Sequence, residues 1–134
     1  MKIGKIKIGL DFEPLVVAEI SGNHNKSIKN IISILRHAKK IVVKAVKLQT
    51  YTPDTLTIKS NRKEFYINKK SKLWKGENLY NLYKKGFTPW EWHKKIFNEA
   101  KKLDILCFSS PFDETAVDFL ESLNVKLYKF ASFE

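Results

Sequence analysis

Apolar and polar positions alternate through KIGKIKIG, with Gly4 and Gly9 as breaks, and this period of two predicts a short strand pair or hairpin. Further apolar stretches at VVAEI (16–20), VVKAVKLQT (42–50), ILCFSSP (105–111) and VKLYKFAS (125–132) are short and β-branched or aromatic enough for buried strands. Between them the period lengthens. Ile28, Ile31, Ile32, Leu35 and Ala38 recur at helical spacing behind Ser27 or Asn25 as the cap, and Ala116, Val117, Phe119, Leu120 and Leu123 do so behind Asp113. In TPWEWHKKIFNEAKKL, Thr88 is the expected cap, Pro89 suits the first helical position and Glu91 completes a capping box. Trp90, Ile96, Phe97 and Ala100 mark the buried side of that helix.

Strands alternating with amphipathic helices predict parallel βαβ units, because a parallel neighbour needs a crossover of that length. Residues 51–87 exceed an ordinary connection. This insertion, with NLYNLYKKG as a short helix and FYINKKSKLW as an irregular or hairpin segment, follows the second strand, where active-site loops sit in such folds. No repeat, low-complexity segment or interior boundary interrupts the chain, so one domain is expected over 1–134, with a hairpin over 1–10 and four β/α strands over 16–134. A (β/α)8 barrel takes about 250 residues; four strands in 134 residues therefore read as half a barrel.

Composition narrows the picture. Apolar residues make up 43% of the chain, enough for a core, but no run of about 18 forms a membrane span and none behind the first lysines forms a signal peptide. The cytoplasm and no membrane partner are the expectation. Cys107 is the single cysteine, so no internal disulfide forms, and its place in ILCF makes it a small core residue. Lys and Arg total 25 against 14 Asp and Glu, a net charge of +11, which invites a nucleic-acid reading. The lysines, however, come as scattered pairs (Lys39 and Lys40, Lys69 and Lys70, Lys84 and Lys85, Lys94 and Lys95, Lys101 and Lys102) and form no single tract. A solvated surface that favours anionic small molecules, with no specific nucleic acid, fits them better.

Ligands of parallel α/β folds collect at the carboxyl ends of the strands. Those ends carry Glu19 with SGNHN, then Lys47 with Gln49, then Ser109 and Ser110 with Pro111, and finally Lys129, Ser132 and Glu134. Lysines and hydroxyls converging there suit a phosphate, while the carboxylates handle protons or sugar hydroxyls. Each has a plainer reading. Glu19 serves equally as a structural partner for Lys47, Ser109 and Ser110 as turn residues before Pro111, and His24 as a cap for the following helix. Val46 and Leu48 are the natural helix-facing pair, which turns Lys47 and Gln49 the other way. Lys129 and Ser132 have opposite strand parity and reach one ligand only if the strand bulges or ends near Phe130. His37 and His93 lie on helices, where a surface position is expected, and no pair of histidines has a metal-ligand spacing.

VVAEISGNHN, AVKLQTYTPDTLTI, LWKGENLYNLYKKGFTPWEWH, ILCFSSPFDETAVDFLESLNV and YKFASFE together resemble the N-terminal half of the sialic acid synthase family, and within it the pseudaminic branch most. The resemblance covers nearly the whole chain in order. It implies a (β/α)8 barrel closed below by the N-terminal hairpin, in a homodimer. It also implies condensation of phosphoenolpyruvate with an open-chain N-acetylated amino sugar, 2,4-diacetamido-2,4,6-trideoxy-altrose in this branch, to give a nonulosonic acid and phosphate. By the same resemblance Lys47, Ser110, Lys129 and Ser132 hold phosphoenolpyruvate, Glu19 and Gln49 lie near the sugar and the reacting carbons, and Glu134 is an active-site carboxylate. Glu19 and Glu134 are thus the expected catalytic residues, and the loop residues Asn23 and His24 join the expected substrate contacts. A divalent metal, manganese or magnesium, polarises the aldehyde in the family, on histidines of later strands that this chain lacks together with the antifreeze-like domain. Relatives carry an Ala-Gly-Ala-Asp turn before the second strand where this chain reads KKIVVKAVKL, so an awkward start to that strand is expected. The alternative to a synthase is a non-catalytic half-barrel that associates with another half or with itself through open edges.

Overall fold

A computed structural model describes residues 1–68 and 70–131. β1 (Lys2–Ile3) and β2 (Ile6–Lys7) pair antiparallel around Gly4, whose φ of +57° a glycine adopts without strain. The expected hairpin is therefore present. β3 (Val17–Glu19), β4 (Ala45–Thr50) and β5 (Leu106–Pro111) form a parallel sheet in the order β3-β4-β5. The register sets Glu19 opposite Lys47 and Lys47 opposite Phe108, with Gln49 opposite Ser110 one pleat further on.

The crossover from β3 to β4 is α1 (Ile28–Lys40), capped by Ser27, whose hydroxyl accepts from the Asn30 amide. Its apolar stripe and that of α4 (Trp90–Lys102) cover one sheet face, burying Ile31 and Leu35, Ile96 and Ala100 against Ile20, Val46 and Leu48. This is the helix-facing parity expected for Val46 and Leu48. α5 (Glu114–Ser122) follows β5 and is capped as expected by Asp113, which accepts from the Ala116 amide at 3.1 Å. Cys107 packs against the core, where burial pushes its thiol up to about 12.

α1, α4 and α5 end alike. In each, paired backbone bonds close the last turn, through Val42 and Val43, Asp104 and Ile105, or Asn124 and Val125, and the first of each pair has positive φ. This is the Schellman ending, with an apolar residue after the left-handed one. Asp104 and Asn124 tolerate that conformation; Val42, at φ +62°, does not. The missing glycine is thus visible as strain, and β4 begins only at Ala45, later than the expected 42.

Other expectations need correction. Thr88 does not cap α4: the N-cap position is Pro89, without a side-chain bond, and the Thr88 hydroxyl lies 3.3 Å from His24 Nε2 instead. Of the strand expected over 125–132, the described part, 125–131, forms none; a single bridge there pairs Tyr128 with Ser109. The described sheet is three-stranded and open, so no closed barrel forms here. In the insertion, α2 (Pro53–Leu56) precedes α3 (Leu79–Gly86), and an antiparallel bridge between Tyr66 and Asn78 gives the expected irregular hairpin between them.

Candidate functional site

Alternation places Glu19, Lys47, Gln49 and Ser110 on the sheet face away from α1 and α4. Lys47 is 8% exposed, and its Nζ lies 2.8 Å from Glu19 Oε1. The plain reading of Glu19 as a partner for Lys47 is therefore the geometry observed, with the Glu19 side chain still 56% exposed. A half-open carboxylate beside an enclosed ammonium keeps the cation ordered and leaves the pair reachable by a second anion. Among the described residues no hydrogen bond engages the Gln49 side-chain amide or the Ser110 hydroxyl, although Ser110 is only 2% exposed. Lys129 joins this edge: its amide donates to the Ser109 carbonyl at 3.1 Å, and Tyr128, in register with Ser109, turns to the helix side and hydrogen-bonds Glu121. The backbone of Lys129 is thereby held at the Ser109–Ser110 strand end. Ser132 and Glu134 lie outside the described residues.

Ser109, one residue before Ser110, faces the opposite way and contacts Thr50. Asn23 and His24 are not part of the cluster. Asn23 lines a concavity of about 430 Å³ between β3 and α1, shared with Ala18, Asn30, Ile34 and Ala38 on the helix side of the sheet. His24 is fully buried and its ring nitrogens are engaged within the chain: Nδ1 accepts from the Lys26 amide and Nε2–H donates to the Gly86 carbonyl. Burial, with the Lys26 charge adding, lowers its affinity for a second proton despite the Gly86 bond. It ties the loop after β3 to the end of the insertion, where Gly22 and Gly86 approach so closely that a Cβ on Gly22 would lie 3.2 Å from the Gly86 backbone. An imidazole so enclosed offers nothing to a substrate.

His93, expected at the surface, is fully buried against β4 and β5. Its signal was present in the helical spacing, since His93 shares a face with Ile96 and Ala100. His37 is exposed, as expected. Among the described residues no group of three or more His, Cys, Asp or Glu gathers that would hold a metal ion, and His24 and His93 spend their nitrogens on neighbours. These residues do not fit a metal cradle.

Comparison with known proteins bears on the family and the fold. The NeuB family profile matches residues 34–134. The chain is 43% identical over 134 residues to the pseudaminic acid synthase of Campylobacter jejuni, covering 100% of this chain and 38% of that protein. It is 48% identical over 121 residues to the pseudaminic acid synthase of Helicobacter pylori, covering 90% of this chain and 35% of that one. It thus spans well under half the length of these relatives and corresponds to their N-terminal part. The fold matches the crystal structure of an N-acetylneuraminic acid synthetase from Leptospira borgpetersenii in complex with citrate, with a TM-score of 0.78 at 23% identity over 98% of this chain and 41% of that one. With a family match over most of its residues, this chain belongs to the NeuB family.

Proposed function

We propose that this chain forms the first part of a (β/α)8 barrel in a cytoplasmic, homodimeric pseudaminic acid synthase, and supplies its phosphoenolpyruvate-holding rim. The observation that carries this reading is the placement of Lys47, Gln49 and Ser110 on one face at the carboxyl ends of adjacent parallel strands, with Glu19 on Lys47. Identity to the named pseudaminic acid synthases supports the branch, and so 2,4-diacetamido-2,4,6-trideoxy-altrose as the sugar.

In this reading Lys47 neutralises phosphate or carboxylate, Ser110 donates a hydrogen bond to the same anion, Lys129 adds a second cation from the next segment, and Ser132 takes the further hydroxyl role that the family resemblance gives it. Gln49 orients the reacting carbons, while Glu19 and Glu134 hold or take protons at the sugar. The enol carbon bonds to the sugar aldehyde, water adds at the phosphate-bearing carbon, and its C–O bond to phosphate breaks. A divalent metal belongs to the reaction in the family, and the described residues of this chain do not fit one.

Phosphoenolpyruvate titrated into the protein by calorimetry tests the site. The K47A variant loses at least about tenfold in affinity, because a buried anion is left without its nearest cation. K5A, which removes an exposed cation paired with Asp104, leaves affinity unchanged and separates local from overall charge. Equal binding by wild type and K47A would rule the site out.

One observation favours a second reading, a non-catalytic half that pairs with another half or with a second copy. Among the described residues β3 is bonded on one side only, and Val16 and Phe130 are 63% and 82% exposed. Concentration-dependent sedimentation without turnover at any concentration would select it.

A further inference from the structure

The pleat that carries Gln49 and Ser110 is backed by a layer of polar side chains on the opposite face. Thr50 follows Gln49, Ser109 precedes Ser110, and both turn toward α4. There Thr50 Oγ1 lies 2.7 Å from Ser109 Oγ and 2.9 Å from His93 Nε2, while His93 Nδ1 lies 3.2 Å from the Pro89 carbonyl oxygen. Thr50, Ser109 and His93 are all fully buried. Phe119 of α5 meets the imidazole edge-on at 5.3 Å and limits its rotation.

Chemistry orders the protons. A carbonyl only accepts, so Nδ1 carries the hydrogen and the neutral ring offers Nε2 as acceptor. Thr50 donates to it, and Ser109 donates to Thr50. One layer below, the contact between β4 and α4 is wholly apolar, through Val46, Leu48, Ile96 and Ala100. Apolar packing is non-directional and accommodates a small slide of helix along sheet. A hydrogen-bonded chain in a dry layer does not, because a buried group left unpaired keeps its full desolvation cost.

We propose that Ser109, Thr50 and His93 act as positioning residues, fixing the carboxyl ends of β4 and β5 against α4 and thereby setting the spacing at which Gln49 and Ser110 meet one anionic ligand. The proposal rests on the phosphoenolpyruvate reading of that face. None of the three side chains touches the ligand; each acts through its sequence neighbour or through the strand end.

Calorimetric titration of phosphoenolpyruvate into wild type, T50V, T50S, S109A and K47A tests it, with near-ultraviolet circular dichroism and the unfolding midpoint recorded for each. T50V keeps the shape and removes the hydroxyl; the expected result is an affinity loss of about tenfold, with T50S restoring wild-type affinity. S109A leaves the bond from Thr50 to His93 in place and serves if T50V does not fold. Wild-type affinity in folded T50V or S109A, or no rescue by T50S, overturns the proposal while loss of binding in K47A leaves the site standing. No binding by wild type, or equal binding by K47A, removes the site and the network together.

Discussion

Val42 is the residue at which sequence and backbone disagree most. It holds φ +62° to complete the turn that carries α1 into β4, and a β-branched side chain there costs about 1–2 kcal/mol. Its side chain is 76% exposed, so little packing is lost on removing it. V42G should raise stability by about 1 kcal/mol after the flexibility of glycine in the unfolded chain is counted. A urea denaturation curve with an unmoved or lower midpoint would contradict the strain. His93 carries the other prediction at this scale. Burial, outweighing its backbone bonds and the charge of Glu91, holds its imidazole down at about 4. Unfolded histidine binds a proton near 6.5. The stability due to a neutral His93 is therefore full above pH 6.5 and is lost as pH falls from 6.5 toward 4, on the order of 3 kcal/mol at most. His24, also lowered by burial, adds in the same direction. Denaturation midpoints of H93Q should depend less steeply on pH across that window than those of wild type; parallel profiles would remove His93 as the cause.

At the scale of elements, capping separates what local chemistry dictates from what packing overrides. Asp113 caps α5 as its sequence position demands, and hydrogen bonds from Thr115 and Ala116 keep its carboxyl below the usual range although burial alone would raise it. D113A should cost about 1 kcal/mol by chemical denaturation; a neutral effect would show that the helix start is held by something else. Thr88, in an equally good sequence context, is drawn away to His24, because the insertion must be tied to the loop after β3. The lysine pairs also acquire a local reason. Lys39 and Lys40, Lys84 and Lys85, and Lys101 and Lys102 occupy the last turns of α1, α3 and α4, where cations offset the helix dipole.

For the whole molecule, a net charge of +11 acts on any anionic ligand before contact. In the proposed reading, phosphoenolpyruvate affinity should fall as sodium chloride rises, since screening shortens the reach of that field to about 10 Å at 0.1 M. Calorimetry at low and high salt giving one affinity would show that Lys47 and its neighbours act alone. No helix is long and apolar enough to cross a membrane among the described residues. Hydrophobic patterning by itself marked β1 to β5, α1, α4, α5 and the side of the sheet that Lys47 and Gln49 face, because it is a local property of the chain, but it also marked a strand from 125 onward where a single bridge forms instead. Residue motifs also sufficed for the family. Tertiary structure alone decided that Lys47 is paired with Glu19, that His24 and His93 are interior ties, and that Thr50 and Ser109 stand behind the strand ends that carry Gln49 and Ser110. Those facts depend on which strand ends and helices meet across long stretches of chain, and a polar side chain shows its partner only once the backbone has brought that partner within hydrogen-bonding distance.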